Sequence, residues 1–218
     1  MKFILSYLII MSCLAVFSQD KAPELPKFSV RGNVSIPKVV SSNAFRNSFS
    51  GVVCGDMNFN YKIASNFFIG TGYSYTYYKS QKVFRDKNLN ANLQSQNAYM
   101  KLGYDKFFSD NGFATFSLNA GYNFNTYRGV IYKSDSLIGK YPTKFASAFI
   151  EPMIGLYFIV DPNFAIGGHI SYSYNFSKFD PTFPGFDKYF EYSKVKNNWN
   201  MSMINLGFGF YYGLAKKQ

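Results

Sequence analysis

Bulky apolar residues alternate with small or polar ones along most of this chain, with a period of two. A period of two is typical of a β-strand whose two faces meet different surroundings. At 164–177 one face carries six large side chains: Phe164, Ile166, Ile170, Tyr172, Tyr174 and Phe176. Eight segments show this pattern, centred on 28–36, 50–61, 67–78, 97–107, 113–127, 145–159, 164–177 and 199–212. The sequence therefore predicts an all-β chain of eight strands, each with the ~9–11 residues that a tilted strand needs to cross a bilayer.

The connections between these segments alternate in length. The short ones lie near 62–66, 108–112 and 160–163, and the long polar ones at 37–49, 79–96, 128–144 and 178–198. A soluble sandwich has no reason to sort its loops in this way, whereas an outer-membrane barrel has short periplasmic turns and long extracellular loops. We therefore expect an eight-stranded antiparallel up-and-down transmembrane β-barrel in the outer membrane of a bacterial cell.

The size of the side chains indicates which face points inward. An eight-stranded barrel has room inside only for side chains, so the face of Gly, Ser, Asn and Thr belongs in the lumen and the bulky face toward lipid. Aromatics make up 21% of the chain and concentrate at the strand ends, which predicts two interfacial girdles. The alternative is that the aromatics form the core of a soluble barrel. The predicted girdles are Tyr61, Phe67, Phe107, Phe108, Phe113, Phe158, Phe164 and Tyr212 by the short turns, and Tyr77, Tyr99, Tyr127, Tyr132, Phe176 and Trp199 by the long loops.

The amino-terminal residues form a separate segment. Lys2 precedes an almost wholly apolar run from Phe3 to Phe17, and polar sequence follows, which predicts a secretory signal peptide over 1–19 and a barrel domain over 20–218. The alternative is a lipoprotein signal, with Cys13 as the acylated residue. Removal of the signal leaves Cys54 as the remaining cysteine, so no intramolecular disulfide is expected.

The last strand carries the most specific local pattern. Its residues Asn205, Gly207, Phe210 and Tyr212 follow the order polar, glycine, aromatic, aromatic of the carboxy-terminal signal that the barrel-assembly machinery reads. With the eight-segment pattern, this chain resembles the small outer-membrane β-barrels of the OmpA and OmpX type, particularly their Bacteroidetes variety. The resemblance implies insertion by that machinery. The phase of this strand also places Met201 and Met203 inward and suggests a bulge near Met203–Ile204.

Six ionisable residues fall on the inward face of the predicted strands: Arg31, Asp56, Lys101, Asp105, Glu151 and His169. A charge at membrane depth is costly unless it is paired or faces a wet interior. We expect these residues to form a hydrogen-bonded ionic network that fills the lumen. The alternative is a gated ion or proton path through the same residues. No cofactor and no metal site are expected.

A His and a Ser two residues apart, His169 and Ser171, resemble the catalytic residues of outer-membrane lipid A deacylases. This chain departs from that family in two ways: Tyr172 stands where the family has Asn, and His169 and Ser171 point into the predicted lumen. The acids that follow, from Asp180 to Glu191, fall in a loop. We therefore expect a protein that is not an enzyme, with a lipid A-modifying hydrolase as the alternative.

The chain has a formal net charge of +11, and most of the excess lies in the long connections. The densest basic run is Lys79, Lys82, Arg85 and Lys87. Basic loops at the outer leaflet suit lipopolysaccharide phosphates, although solvated surface charge is the simpler interpretation. An exported barrel does not meet nucleic acid. The predicted role is structural, or surface interaction through loops 79–96, 128–144 and 178–198. A narrow porin-like channel and an accessory subunit of an envelope complex are alternatives.

Overall fold

Eight strands and one short helix make up the computed structural model, which describes residues 25–40, 43–81, 89–133, 136–180 and 200–214. The predicted signal peptide and Cys13 lie outside these residues. The eight predicted segments are all strands. In chain order the elements are β1 (Phe28–Val39), α1 (Asn43–Ser48), β2 (Phe49–Ala64), β3 (Phe67–Ser80), β4 (Leu89–Ser109), β5 (Gly112–Lys133), β6 (Ser136–Asp161), β7 (Phe164–Lys178) and β8 (Asn200–Leu214).

Each strand pairs antiparallel with the next, and β1 pairs with β8 from Phe28–Leu214 to Val39–Met203, which closes the barrel. Closure satisfies the backbone hydrogen bonds along both edges, as a membrane-spanning sheet requires. Two-residue turns at 65–66, 110–111 and 162–163 join strands at one end, here called the inner end. The connections after β1, β3 and β7 are longer and lie at the opposite, outer end. The predicted fold class is confirmed. Among the described residues, no helix is both long enough and apolar enough to cross a membrane.

The predicted loop at 128–144 is wrong, because most of it is strand. The β5–β6 ladder continues to Lys133–Ser136 and leaves a two-residue connection. In the same way β4 begins at Leu89, inside the predicted loop 79–96, and α1 lies inside 37–49. Outside the membrane both faces of a strand can be polar, so the apolar alternation ends while the backbone ladder continues.

Large apolar side chains cover the outside of the barrel, as the size argument predicted. On β3 the outward side chains run from Phe67 to Tyr77, ten residues apart. At ~3.3 Å per residue and a tilt of ~45° this row is ~24 Å tall, close to the apolar band of a transmembrane barrel. The most exposed members of the belt are Val34, Ile36, Tyr122, Phe158, Val160, Phe176, Leu206 and Phe208.

The predicted girdles are correct in part. Tyr61, Phe67, Phe108, Phe158, Phe176 and Tyr212 are exposed on the outside. Four other members are wrong, because their rings are buried inside the barrel: Tyr99, Phe107, Phe113 and Tyr127. Tyr132 and Trp199 are not among the side chains that the structure describes. Next to Tyr99 and Phe107, an apolar or aromatic neighbour takes the outward face, Met100 in one case and Phe108 in the other.

Met201 and Met203 are buried in the lumen, as the phase of the last strand predicted. The predicted bulge at Met203–Ile204 is wrong, since the register with β1 and β7 is continuous there. The irregularity lies in the partner strand, between Tyr174 and Lys178 of β7.

Candidate functional site: the filled lumen

A bidentate ion pair crosses the lumen near the inner end. Arg31 of β1 donates from Nη1 to Oδ1 of Asp105 at 3.1 Å and from Nη2 to Oδ2 at 2.6 Å. Thr115 of β5 joins them: its Oγ1 accepts from Arg31 Nη1 at 3.0 Å and donates to Asp105 Oδ1 at 2.6 Å. Because Arg31 is only 1% exposed and Asp105 5%, this charge-assisted pairing in fork geometry compensates the burial of both charges. We call these three residues the paired layer.

Two aromatic rings flank the guanidinium of the paired layer. The Cζ atom of Arg31 lies 4.2 Å from the centre of the Phe68 ring and 5.2 Å from that of Tyr211, both within the range of a cation–π contact. Phe68 occupies the space next to Gly103, where a Cβ would overlap its ring. The glycine on β4 thus makes room for the ring that holds Arg31.

A second set of polar groups, the middle layer, surrounds Asp56 further toward the outer end. Its Oδ1 accepts from Asn33 Nδ2 at 2.7 Å and from Asn58 Nδ2 at 2.9 Å. The hydroxyl of Tyr99 donates to Oδ2. Tyr99 reaches this carboxylate because Gly72 leaves space for the tyrosine ring. A Cβ at Gly72 would lie 2.5 Å from the ring carbon Cζ of Tyr99. Neutral donors therefore hold the Asp56 carboxylate.

The other predicted lumen residues also lie inside the barrel. Glu151 of β6 lies against the hydroxyls of Ser171 and Ser173. The Lys101 ammonium is buried and has no hydrogen-bond partner within the described part of the chain. His169 is 7% exposed. With Asp56 and Glu151 it lines a cavity of about 20 Å³, a volume that holds about one water molecule.

The structure thus gathers all six predicted residues in the lumen, and it joins Arg31 directly to Asp105 rather than linking the six in one ionic network. Asp56, Glu151 and His169 line one cavity instead. Across the described segments, no three His, Cys, Asp or Glu side chains are grouped to hold a metal ion. Cys54 is buried in the same region, 8% exposed.

An apolar cluster fills the lumen at its inner end. Phe113 stacks on Tyr157 with ring centres 5.3 Å apart and meets Tyr211 edge-on at 5.7 Å. Phe107 lies 5.5 Å from Phe113, and Ala165 completes the group. We call these five residues the inner cluster.

A larger apolar cluster fills the outer end. The helix α1 directs Phe45 into the barrel, where its ring centre lies 5.2 Å from that of Phe179, 5.7 Å from Tyr78 and 5.9 Å from Phe49. Phe45, Tyr127 and Phe179 are 0% exposed. The members of this outer cluster are Val39, Ala44, Phe45, Phe49, Tyr78, Ala91, Leu93, Tyr127, Phe179, Met201 and Met203.

Sequence reasoning missed both clusters, although a signal for them exists. Five aromatic doublets stand near strand ends, and in each one ring points outward and the other is buried in the lumen: Phe67–Phe68, Tyr77–Tyr78, Phe107–Phe108, Tyr157–Phe158 and Tyr211–Tyr212. Adjacent residues of a strand face opposite sides, so such a doublet supplies both a girdle and a filled lumen.

Some of the remaining predicted site residues belong to the described part of the chain, and others do not. In the assembly-signal strand Gly207 faces the lumen, and Phe210 and Tyr212 are exposed outside. Asn205 is buried and donates to Ser171 Oγ at 3.0 Å. Lys79 is exposed at the outer end of β3. Lys82, Arg85 and Lys87 lie outside the described residues.

Comparison with known proteins bears on the fold. No protein-family model and no curated protein sequence matches this chain. A major outer membrane protein from Thermus thermophilus superposes with a TM-score of 0.56 at 12% identity, covering 85% of this chain and 98% of that one. The fold is that of a bacterial outer-membrane β-barrel.

Two further solved structures are similar over most of their length. The Neisserial surface protein A gives a TM-score of 0.47 at 19% identity, covering 86% of this chain and 97% of that one. The outer membrane protein OprG from Pseudomonas aeruginosa gives 0.45 at 10% identity, with 88% and 99% coverage.

Proposed function

We propose that this outer-membrane barrel is a closed, monomeric surface protein, which acts through its outer end rather than by transport or catalysis. The observation that carries the proposal is the filling of the lumen at both ends, by the outer cluster and the inner cluster. Between them lie the paired layer and the middle layer, and the cavity beside Asp56 in the middle layer measures only about 20 Å³.

The filled lumen argues against a narrow channel. An ion moving along the barrel axis has to pass two apolar clusters, which offer no ligands to replace its hydration shell. It also has to displace Arg31, which is bound by Asp105, Thr115 and two aromatic rings. These contacts support a structural role for the predicted lumen residues Arg31 and Asp105.

The position of His169 and Ser171 supports a role without catalysis. Both side chains are buried on the lumen face, and Ser171 Oγ accepts a hydrogen bond from Asn205. A lipid substrate approaches the barrel from its outside, on the other face of β7. The hydrolase alternative is tested by incubation with lipid A: release of an acyl chain that is lost in His169→Ala supports an enzyme.

The proposed partners follow from the sequence. The basic run of Lys79, Lys82, Arg85 and Lys87 would bind lipopolysaccharide phosphates. The barrel-assembly machinery would recognise the last strand during insertion, and other envelope proteins would bind the outer loops. The Bacteroidetes variety of the family remains an expectation from the sequence.

Recording of ion currents in planar bilayers tests the closed lumen. We expect the folded wild-type protein to show no stepwise conductance at an applied voltage of about 100 mV, a membrane-scale potential. The double variant Phe45→Ala/Phe49→Ala, which thins the outer cluster, stays closed because the inner cluster is intact. Phe124→Ala/Phe176→Ala, which removes two exposed rings from the outside, is the matched control.

A steady single-channel conductance of the wild-type protein overturns the proposal in favour of a pore. The difference in gel mobility between boiled and unboiled samples establishes in each case that the barrel is folded.

A further inference from the structure

Exposed cations stand at the outer end of five strands, on the face that points away from the lumen. They are Lys38 of β1, Lys79 of β3, Arg128 of β5, Lys144 of β6 and Lys178 of β7. On each strand the cation lies within four residues of the outermost apolar side chain of the lipid-facing belt. These apolar residues are, in the same order, Ile36, Tyr77, Phe124, Ala146 and Phe176. The cations are therefore placed at the boundary between the apolar belt and water.

The strand register brings three of these cations together. Lys79 pairs with Asn92 of β4, and Asn92 pairs in turn with Arg128, so Lys79 and Arg128 are two strands apart, about 10 Å. Lys144 pairs with Thr126, two residues from Arg128, which places Lys144 and Arg128 diagonally at about 7–8 Å. Lysine and arginine side chains span such distances easily. We call Lys79, Arg128 and Lys144 the outer basic triad.

No acidic residue accompanies the triad on the outward face of the described strands. Asp56, Asp105 and Glu151 lie in the lumen, and Asp110 and Asp161 lie at the inner end. Asp180 follows the lumen residue Phe179 just beyond β7 and lies near Tyr127, whose ring is inside the barrel. Like charges on neighbouring strands repel one another. An anion bound between the three cations removes that repulsion.

Asn92 provides an independent observation at the centre of the triad. It lies on the outward face, between Ala91 and Leu93, which point into the lumen. Its Oδ1 atom is shielded from water and has no hydrogen-bond partner within the described residues. A buried acceptor without a donor is costly, and a rotation of the half-buried Asn92 side chain toward a ligand hydroxyl or amide N–H would satisfy it. The site thus offers three cations to an anion and one acceptor to a neighbouring donor group.

We infer that the outer basic triad binds a phosphate of lipid A, an acylated and phosphorylated disaccharide, in the outer leaflet. Arg128 and the two lysines donate charge-assisted hydrogen bonds to the phosphate oxygens, and a hydroxyl or amide of the sugar donates to Asn92. The acyl chains then cover Tyr77, Tyr122 and Phe124 on the belt below. The inference rests on the proposed surface role. It places the lipopolysaccharide contact on the outer ends of the strands rather than on the loops.

Native mass spectrometry of the detergent-solubilised, folded barrel, titrated with bisphosphorylated lipid A, tests the site. The variant Arg128→Gln/Lys144→Gln removes two triad charges and leaves the basic run at 79–87 intact. We expect lipid A to bind it about 30-fold more weakly, since each cation near an anionic lipid surface contributes about a five- to sixfold factor. The matched control Lys38→Gln/Lys178→Gln removes two charges at the same boundary, and we expect less than a threefold change.

Other lipids and a loop variant separate the explanations. Dephosphorylated lipid A should bind the wild type as weakly as lipid A binds the double variant, and phosphatidylglycerol and inorganic phosphate should not displace lipid A. Equal losses in the triad variant and its control, or no loss in either, overturn the site. If Lys82→Gln/Arg85→Gln/Lys87→Gln alone abolishes binding, the proposed loop contact stands and the strand site is wrong.

Discussion

The paired layer and the middle layer of the lumen hold buried charge in different ways. In the paired layer the Arg31 guanidinium meets the Asp105 carboxylate in a bidentate pair, braced by Thr115 and two rings. In the middle layer the Asp56 carboxylate is held by two amides and a phenol, while the Lys101 ammonium has no hydrogen-bond partner within the described residues. Arg31 and Lys101 are each only 1% exposed, whereas Asp56 is half-buried.

The difference shows that burial alone does not dictate ion pairing. Arg31 and Asp105 depend on each other, because either charge left alone in the lumen is uncompensated. Asp56 depends instead on several neutral donors, each of which contributes part of the stabilisation. Removal of one group should therefore have a large effect in the paired layer and a graded effect in the middle layer.

Asp105→Asn should give the largest loss of stability, about 3–5 kcal/mol, because it leaves the Arg31 charge buried without its partner. Urea unfolding of the barrel in lipid vesicles measures the loss. Asp110→Asn, at an exposed turn, is the matched control and should stay within about 0.5 kcal/mol of the wild type. A double variant, Arg31→Met/Asp105→Leu, should recover most of the stability; if it is less stable than Asp105→Asn, the layer is not held mainly by its ion pair.

Tyr99→Phe should give an intermediate loss of about 1.5–3 kcal/mol, because it removes one of three donors to the Asp56 carboxylate. The same unfolding measurement applies. Tyr122→Phe removes a hydroxyl from the exposed outer face and should change little. Equal effects of the two variants would show that the phenol does not support Asp56.

Lys101→Met should give the smallest change, within about 1 kcal/mol of the wild type, because the cost of burying an ammonium without hydrogen bonds largely offsets its attraction to the lumen carboxylates. Urea unfolding in vesicles again measures the change. A loss as large as that of Asp105→Asn would mean that Lys101 is ion-paired in the membrane, and the contrast between the layers would then disappear.

The barrel was predictable from the sequence because lipid outside and a narrow lumen inside impose opposite side-chain sizes on alternate residues. The same rule placed Arg31, Asp56, Lys101, Asp105, Glu151 and His169 inside. It could not say which of them touch, since pairing across the lumen depends on shear and rotamer. Alternation also places Tyr99 inward, two residues before Lys101 on β4, but it could not show where the ring finds space, which Gly72 on a different strand provides. The extension of β5 and β6 was missed for a related reason: beyond the lipid, backbone pairing leaves no apolar pattern.

The last two tyrosines of β8 lie where the barrel closes and where its lumen is filled. Tyr212 faces outward, while its neighbour Tyr211 enters the inner cluster and lies over Arg31. The ring that Tyr211 meets edge-on is Phe113 of β5, and the backbone of Tyr211 pairs with β1 at Arg31. The pairing of β8 with β1 and the filling of the inner end of the lumen therefore depend on the same residue.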